Sequence, residues 1–218
     1  MPTNFKNRRR NMVDCQVRPS DVTSFPIIQA MLAIPREDYV PEQKKELAYL
    51  GDHLGIGNGR FLLDPRILAK MLDTLAIRPD ELVLDIGSGL GYSSAIIASV
   101  AEAVISLEEN EEFSNEAENT FSLHSVDNVV PVYGVLSEGM PRYGPYDVIT
   151  VQGCIETLPP AILDQVKLGG RIGAIVSTEN GGKCRIGINK PSGVDWQTAF
   201  DAEAPILPGF EKTGEFVF

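Results

Sequence analysis

The chain has 218 residues and a formal net charge of −11, which leaves room for one α/β domain with an extension, or at most two small units. An acidic balance argues against a general nucleic-acid binder, which should be basic. No apolar run approaches the roughly 20 residues needed to span a bilayer, and no apolar core follows the N-terminal charges as a secretory signal requires. Cys15, Cys154 and Cys184 are far apart with no C-x-x-C, so neither a disulfide framework nor a metal site is supported and a reducing cytoplasm is expected.

In chain order, residues 1 to about 13 read as disordered or loosely docked. Their basic run (Lys6, Arg8, Arg9, Arg10) reads as a solvated terminus, with an RNA tail or a transit peptide as the sharper alternatives. A helix is predicted over 21–33 from the apolar stripe Ile27, Ile28, Met31 and Leu32. Ile34-Pro35-Arg36 breaks it, and a short polar helix is expected near 42–48. Residues 54–65, LGIGNGRFLLDP, read as a loop with special backbone angles. The next helix, 66–76, buries Ile67, Leu68, Met71, Leu72 and Leu75, with Asp64 as N-cap and Pro65 at its first position. Strands over 82–86, 103–107, 129–133 and 146–151 then alternate with helices over 92–100, 112–122 and 159–167. Strands over 171–177 and 184–188 follow, then a loop-rich stretch over 190–208 and a last strand over 215–218. Such alternation predicts βαβ units and a mostly parallel sheet.

The stretch 83–94, VLDIGSGLGYSS, carries the chemistry. It reads as strand, tight turn with Gly87, Gly89 and Gly91, then helix N-terminus, at the sheet edge where open α/β folds bind ligands. A dinucleotide site would want G-x-G-x-x-G with pyrophosphate on the helix N-terminus. The spacing is instead G-x-G-x-G, and Asp85 would repel pyrophosphate but suit a cationic amino group. S-adenosylmethionine (SAM) has no phosphate and carries an ammonium. About 20 residues after the loop, a second strand ends in Glu108, the place for an acid that binds ribose hydroxyls. The plain alternative is a strand-turn-helix of another α/β protein.

With these landmarks in order, the chain resembles the protein-L-isoaspartate O-methyltransferases along nearly its whole length. The resemblance rests on Met12-Val13 with Gln16 and Arg18, on Ala30-Met31 followed by Ile34-Pro35-Arg36 and Tyr39-Val40-Pro41, and on Ala48-Tyr49 and Ile56-Gly57-Asn58-Gly59. It continues through Val83 to Tyr92, Ser106-Leu107-Glu108, Asn128-Val129, Pro145 to Ile149 and Leu168-Gly169-Gly170-Arg171. It implies a Rossmann-like SAM-dependent methyltransferase fold: α/β, a mostly parallel twisted sheet with helices on both faces, and an N-terminal helical extension. Residues 1–78 would form that extension with the active-site loop, packed on a SAM-binding domain over 79–218 as one structural unit.

The implied activity is methyl transfer from SAM to isoaspartyl or D-aspartyl carboxylates of damaged proteins, with S-adenosylhomocysteine (SAH) as product. A cytoplasmic monomer or weak dimer, acting on protein or peptide and not on nucleic acid or membrane, is expected. The residues expected to hold SAM are Asp85, Gly87, Ser88, Gly89, Gly91, Tyr92, Glu108, Val135, Leu136 and Gln152. The substrate-loop candidates are Asn58, Gly59, Arg60 and Leu63.

Two positions depart from the family pattern. Its loop reads like GQTIS.P, with a hydroxyl that orients the substrate carboxylate; aligned on Gly59 and Pro65, the hydroxyl position is Leu63. Asp64, beside it, would repel a carboxylate if it faced the site and otherwise only caps the helix. Arg60 either replaces the lost donor or is an exposed arginine. The family's Gly-Asp-Gly after the third strand, whose aspartate binds the adenine amine, is Gly134-Val135-Leu136. A different methyl acceptor, or a catalytically silent SAM-binding or partner-binding protein, therefore stands beside the repair reading. His53 and His124 read as surface or hydrogen-bonded histidines. Gln152 and Cys154 read as pocket liners or, for Cys154, core. Trp196 and residues 200–210 either cover a substrate groove or pack on the sheet.

Overall fold

The structure, a computed structural model, describes residues 4–212. Helix α1 (Phe5–Met12) is capped by Asn4, whose Oδ1 accepts from Asn7 N at 3.0 Å, and it runs on in wider and tighter turns to Ser20. The expectation of a loose N-terminus is corrected. Met12, Val13 and Val17 are buried. Arg9 donates to Ala33 O, Tyr49 Oη and the Glu37 carboxylate at 2.9–3.0 Å, and Arg8 pairs with Glu46. A basic run reads as solvated unless its partners are known, and these come from distant parts of the chain.

Helix α2 (Phe25–Ala33) starts later than predicted. Asp21 is left-handed at φ 60, and the Thr23 and Ser24 N–H groups are held by Asp73 Oδ1. Short 3-10 turns follow at Arg36–Tyr39 and Glu42–Leu47. The loop expected over 54–65 is instead an antiparallel hairpin, β1 (Leu54–Gly57) and β2 (Arg60–Leu62). Asn58 and Gly59 close it with φ of 49 and 71. An Asn-Gly pair is the favoured occupant of a two-residue turn with both φ positive, so the residues that suggested irregularity are the hairpin signal. Helix α3 (Pro65–Leu75) follows as expected, with Asp64 accepting from Arg66 N at 2.7 Å.

The remaining strands are β3 (Leu82–Ile86), β4 (Ala103–Glu108), β5 (Val129–Tyr133), β6 (Tyr146–Ile155), β7 (Val166–Thr178), β8 (Gly181–Lys190) and β9 (Gly193–Asp201). Between them lie α4 (Tyr92–Ala98), α5 (Glu111–Leu123) and α6 (Pro160–Leu163). Among the described residues they form a seven-stranded sheet in the order β5-β4-β3-β6-β7-β8-β9. It is parallel from β5 to β7, with β8 and β9 added antiparallel.

Several predicted spans change, the strands over 146–151 and 171–177 lengthening to Tyr146–Ile155 and Val166–Thr178 and the helix over 92–100 ending at Ala98. The helix over 159–167 shrinks to α6, because Val166 already pairs with Tyr146 and β7 runs on through the Leu168-Gly169-Gly170 turn. The strand over 184–188 lengthens at both ends into β8. The loop-rich stretch over 190–208 contains β9, whose period of two covers only Val194 and Trp196 before a bulge ahead of Phe200 breaks it. The strand expected over 215–218 lies outside the described residues.

Alternation along the strands divides the interior. Val83 and Val104 point into a core shared with Met12, Ile27, Met31 and Tyr39 of the N-terminal elements and with α3, α4 and α5. Leu84, Ile86, Ile105 and Leu107 point into a second core closed by Leu136, Ile162 of α6, Leu207 and Phe210. No helix among the described residues is long and apolar enough to cross a membrane.

Candidate active site

The strand order turns back at β3, so the C-terminal ends of β3, β4 and β6 flank a topological switch point. Asp85 sits there on β3, fully buried. Ser93 and Ser94 Oγ donate to its Oδ2 at 2.6 Å, and Thr150 Oγ1 and Gln152 Nε2 to its Oδ1 at 2.7 Å. Burial pushes this carboxyl above the usual carboxylate range, and the four donors pull it only part of the way back. Asp85 was expected to face a cationic amino group. In the structure both oxygens are engaged by the chain's own hydroxyls and amide. Gln152, expected to line the pocket, is one of those donors. Ser93, Ser94 and Thr150 were not singled out in the sequence; the Ser-Ser pair opening the helix after the glycine turn was the available signal.

Glu108 ends β4 and is also fully buried. Its carboxylate accepts main-chain N–H bonds from Gly89 at 2.7 Å, Glu109 at 3.0 Å and Asn110 at 3.1 Å. The guanidinium of Arg60, only 3% exposed, lies against both of its oxygens at 3.1–3.3 Å. Arg60 is therefore not an exposed arginine; its guanidinium is paired with Glu108. The carboxyl of the neighbouring Glu109 is raised by burial, opposed by the nearby Arg60 charge.

The glycine turn carries this arrangement. A Cβ on Gly87 would lie 2.5 Å from Arg60 Nη2 and 3.0 Å from Leu207 Cδ1, so only glycine lets the guanidinium rest on the backbone. Ile56 of β1 crosses Gly89 in the same way, at 2.7 Å. Leu207 arrives because β3 stops pairing with β6 at Ile86–Val151, and residues 205–207 take up the edge of β6 beyond it, with Ile206 beside Cys154. Cys154 N donates to Pro205 O and Leu207 N to Cys154 O. Leu207 and Phe210 are consequently buried, so the stretch 200–210 packs on the sheet. Neither Ile56 nor Leu207 is singled out as a site residue by the sequence, having no polar signal.

The other expected residues divide. Ser88 is buried, its N–H on Leu107 O. Leu136 is buried and Val135 is 52% exposed. Gly91 and Tyr92 serve packing: a Cβ on Gly91 would meet Phe121 at 2.5 Å, and the Tyr92 ring lies under Arg36 and against Tyr39. Asn58 and Gly59 are exposed at the hairpin tip. Leu63 is buried in the core, its carbonyl held by Arg36 Nη2 at 2.7 Å. Asp64 caps α3, and its N–H donates to His53 Nδ1. Cys154 is buried and His124 lies 3.1 Å from Asp38. Trp196 pairs with Arg185 on β8.

The family profile for protein-L-isoaspartate(D-aspartate) O-methyltransferases matches residues 7–190. The chain belongs to that family. Protein-L-isoaspartate O-methyltransferase 2 of Marinobacter nauticus is 32% identical over 206 residues, 94% of either chain. The protein-L-isoaspartate O-methyltransferase of Methanoculleus marisnigri is 33% identical over 171 residues, 78% of either chain. A solved Plasmodium falciparum structure, described as a protein-L-isoaspartate O-methyltransferase in complex with S-adenosyl-L-homocysteine, has the same fold. It matches with a TM-score of 0.77 over 94% of this chain and 98% of its own, at 20% identity.

As a family member the chain has the Rossmann-like methyltransferase fold and uses SAM. Its donor chemistry suits that group: a buried acid at the end of β4 for nucleoside hydroxyls, beside a turn built from glycine. The ground next to that acid is held by Arg60, with Ile56 and Leu207 on the turn.

Proposed function

We propose that this chain is a SAM-dependent carboxyl methyltransferase that esterifies isoaspartyl, or D-aspartyl, residues of damaged proteins. The observation that carries this is the family match over residues 7–190, which runs from the N-terminal helix through the hairpin to the end of β8. A protein or peptide is the partner that follows. Action in the cytoplasm, as a monomer or weak dimer and without nucleic acid or membrane, completes the proposal.

SAM supplies an activated methyl group on a sulfonium leaving group, so the cofactor carries the hard chemistry. The acceptor carboxylate needs no base, because a carboxyl with an ordinary value near 4 is already ionised at neutral pH. The chain's task is orientation and exclusion of water. In this reading Glu108 binds the nucleoside hydroxyls, the turn at Gly87 and Gly89 lets the cofactor approach the backbone, and residues 58–63, from the hairpin tip onward, border the acceptor. Asp85 is a buttress: it ties β3 to α4 and β6 through Ser93, Ser94, Thr150 and Gln152, and so fixes the turn that starts two residues later.

Methyl transfer from labelled SAM to an isoaspartyl peptide, with the matching aspartyl peptide as control, tests the proposal. Label that appears only with the isoaspartyl peptide and leaves as methanol in base is the expected result. Retained binding of SAH with no transfer to the isoaspartyl peptide would sink it and point to another acceptor.

A further inference from the structure

Glu108 has two classes of partner. The main-chain donors Gly89, Glu109 and Asn110 hold it at 2.7–3.1 Å, whereas Arg60 touches it at 3.1–3.3 Å. Charge-assisted N–H···O bonds usually run about 2.7–2.9 Å. The cation is thus the looser partner, and the carboxylate keeps three donors if Arg60 leaves. Arg60 also lies on Gly87, the backbone that a bound nucleoside would have to approach.

Arg60 sits on an element outside the main sheet: among the described residues β1 and β2 pair only with each other. Ile56 and Leu62 anchor the hairpin in the core, so release concerns the Arg60 side chain and not the anchored hairpin. Its tip, Asn58-Gly59, is exposed. Arg60 is the one charged residue between Leu54 and Leu63, and Leu63 offers no hydrogen bond to an incoming carboxylate.

Resting on the methyltransferase reading above, we infer that Arg60 is a positioning residue that serves two carboxylates in turn. It covers Glu108 until nucleoside hydroxyls take that acid. It is then released to the acceptor's carboxylate, so that cofactor binding prepares the acceptor site. Arg60 and the nucleoside compete for one carboxylate, and binding must displace the pair.

SAH titrated by calorimetry into the wild-type chain and into Arg60→Gln reads the first half. Loss of a charge-assisted competitor should tighten SAH roughly tenfold. The KM for the isoaspartyl peptide at saturating SAM should rise roughly tenfold in Arg60→Gln with kcat changed less, and Arg60→Lys should recover part of that loss. A measurement on the wild-type chain stands without any variant: phenylglyoxal labelling mapped by mass spectrometry. Arg60 should be protected in the free protein and become reactive with saturating SAH, the reverse of ordinary ligand protection.

Equal or weaker SAH binding by Arg60→Gln, an unchanged peptide KM, or an Arg60 that stays protected with SAH bound would each overturn the inference and leave the methyltransferase reading intact. Failure of both the wild-type chain and Arg60→Gln to bind SAH would overturn the two together. Binding by Arg60→Gln alone would support the competition.

Discussion

Asp85 and Glu108 stand at the C-terminal ends of neighbouring parallel strands, and both are fully buried. Their partners differ in kind. Asp85 is held by neutral donors from α4 and β6, the elements that already flank it. Glu108 is held by turn N–H groups and by a cation brought in on a separate hairpin. The sequence position of Asp85, just before the glycine turn, suggests a ligand contact, whereas its four protein donors are what support the proposed role in the frame. Glu108 is the acid whose partner exchanges in the inference above. A buried carboxylate at a sheet edge is thus assigned by where its donors come from, not by its distance from a glycine motif.

The largest effect should follow from breaking the fixed acid. Asp85→Ala orphans several buried donors at about 1–3 kcal/mol each, less what Ser94 recovers through Ser106, for a net loss of roughly 3–5 kcal/mol. Urea denaturation measures it, and a loss under about 1 kcal/mol would return Asp85 to the ligand side. The same acid has a pH signature. Its folded value is raised by burial, so its contribution is full below the ordinary value of 3.8 and is lost as pH rises through the folded value. Asp85→Asn should therefore cost less stability, relative to wild type, at about pH 8 than at about pH 4. A gap that is constant or widens with pH would contradict the raised value.

Gly91→Ala tests the frame from its other side. At φ 93 with a Cβ only 2.5 Å from Phe121, alanine should cost about 2–3 kcal/mol through strain and overpacking. SAH affinity of the folded fraction should barely change if Gly91 serves packing and not the cofactor. On the exchangeable side, Glu108→Ala should weaken SAH by about 1–3 kcal/mol, the worth of hydrogen bonds to a charged group. Its stability loss should be only about 1–2 kcal/mol, below the roughly 3–5 usual for stranding one half of a buried pair, because the hairpin lets Arg60 reach water. A stability loss larger than that of Asp85→Ala would reverse the comparison.

What the sequence revealed, and what it hid, follows the same division. The β3 turn, the Asp64 cap and the strand-helix alternation were legible because each is decided within a few residues. The docking of α1 was hidden, since Arg9 finds Glu37, Tyr49 and Ala33 only after the chain has folded back. The hairpin over 54–62 was misread because its glycines were counted as looseness while Asn58-Gly59 was the turn signal. The Arg60–Glu108 pair joins residues 48 positions apart, and no local pattern announces it. Leu207, which closes the turn at Gly87 and Gly153, lies on a segment whose path is set by its pairing with Cys154 on the edge of β6 beyond β3.

The smallest effect is expected at Val135, where this chain lacks the acid that the family pattern uses for the adenine amine. Val135 is 52% exposed, so a carboxylate there loses little hydration. It also precedes the 3-10 turn Leu136–Glu138 at φ −70 and ψ 122 without a side-chain cap, a place that aspartate suits. Val135→Asp should accordingly shift stability by less than about 0.5 kcal/mol. If adenine is read beside Leu136, SAH should bind tighter by about 0.5–1.5 kcal/mol, one hydrogen bond's worth. The gain should be fully present in Arg60→Gln as well, because the adenine end and the Glu108 end are separate contacts and distant effects add. A gain that vanishes in the Arg60→Gln background would mean that the hairpin governs the whole cofactor cleft, and not the single carboxylate at the end of β4.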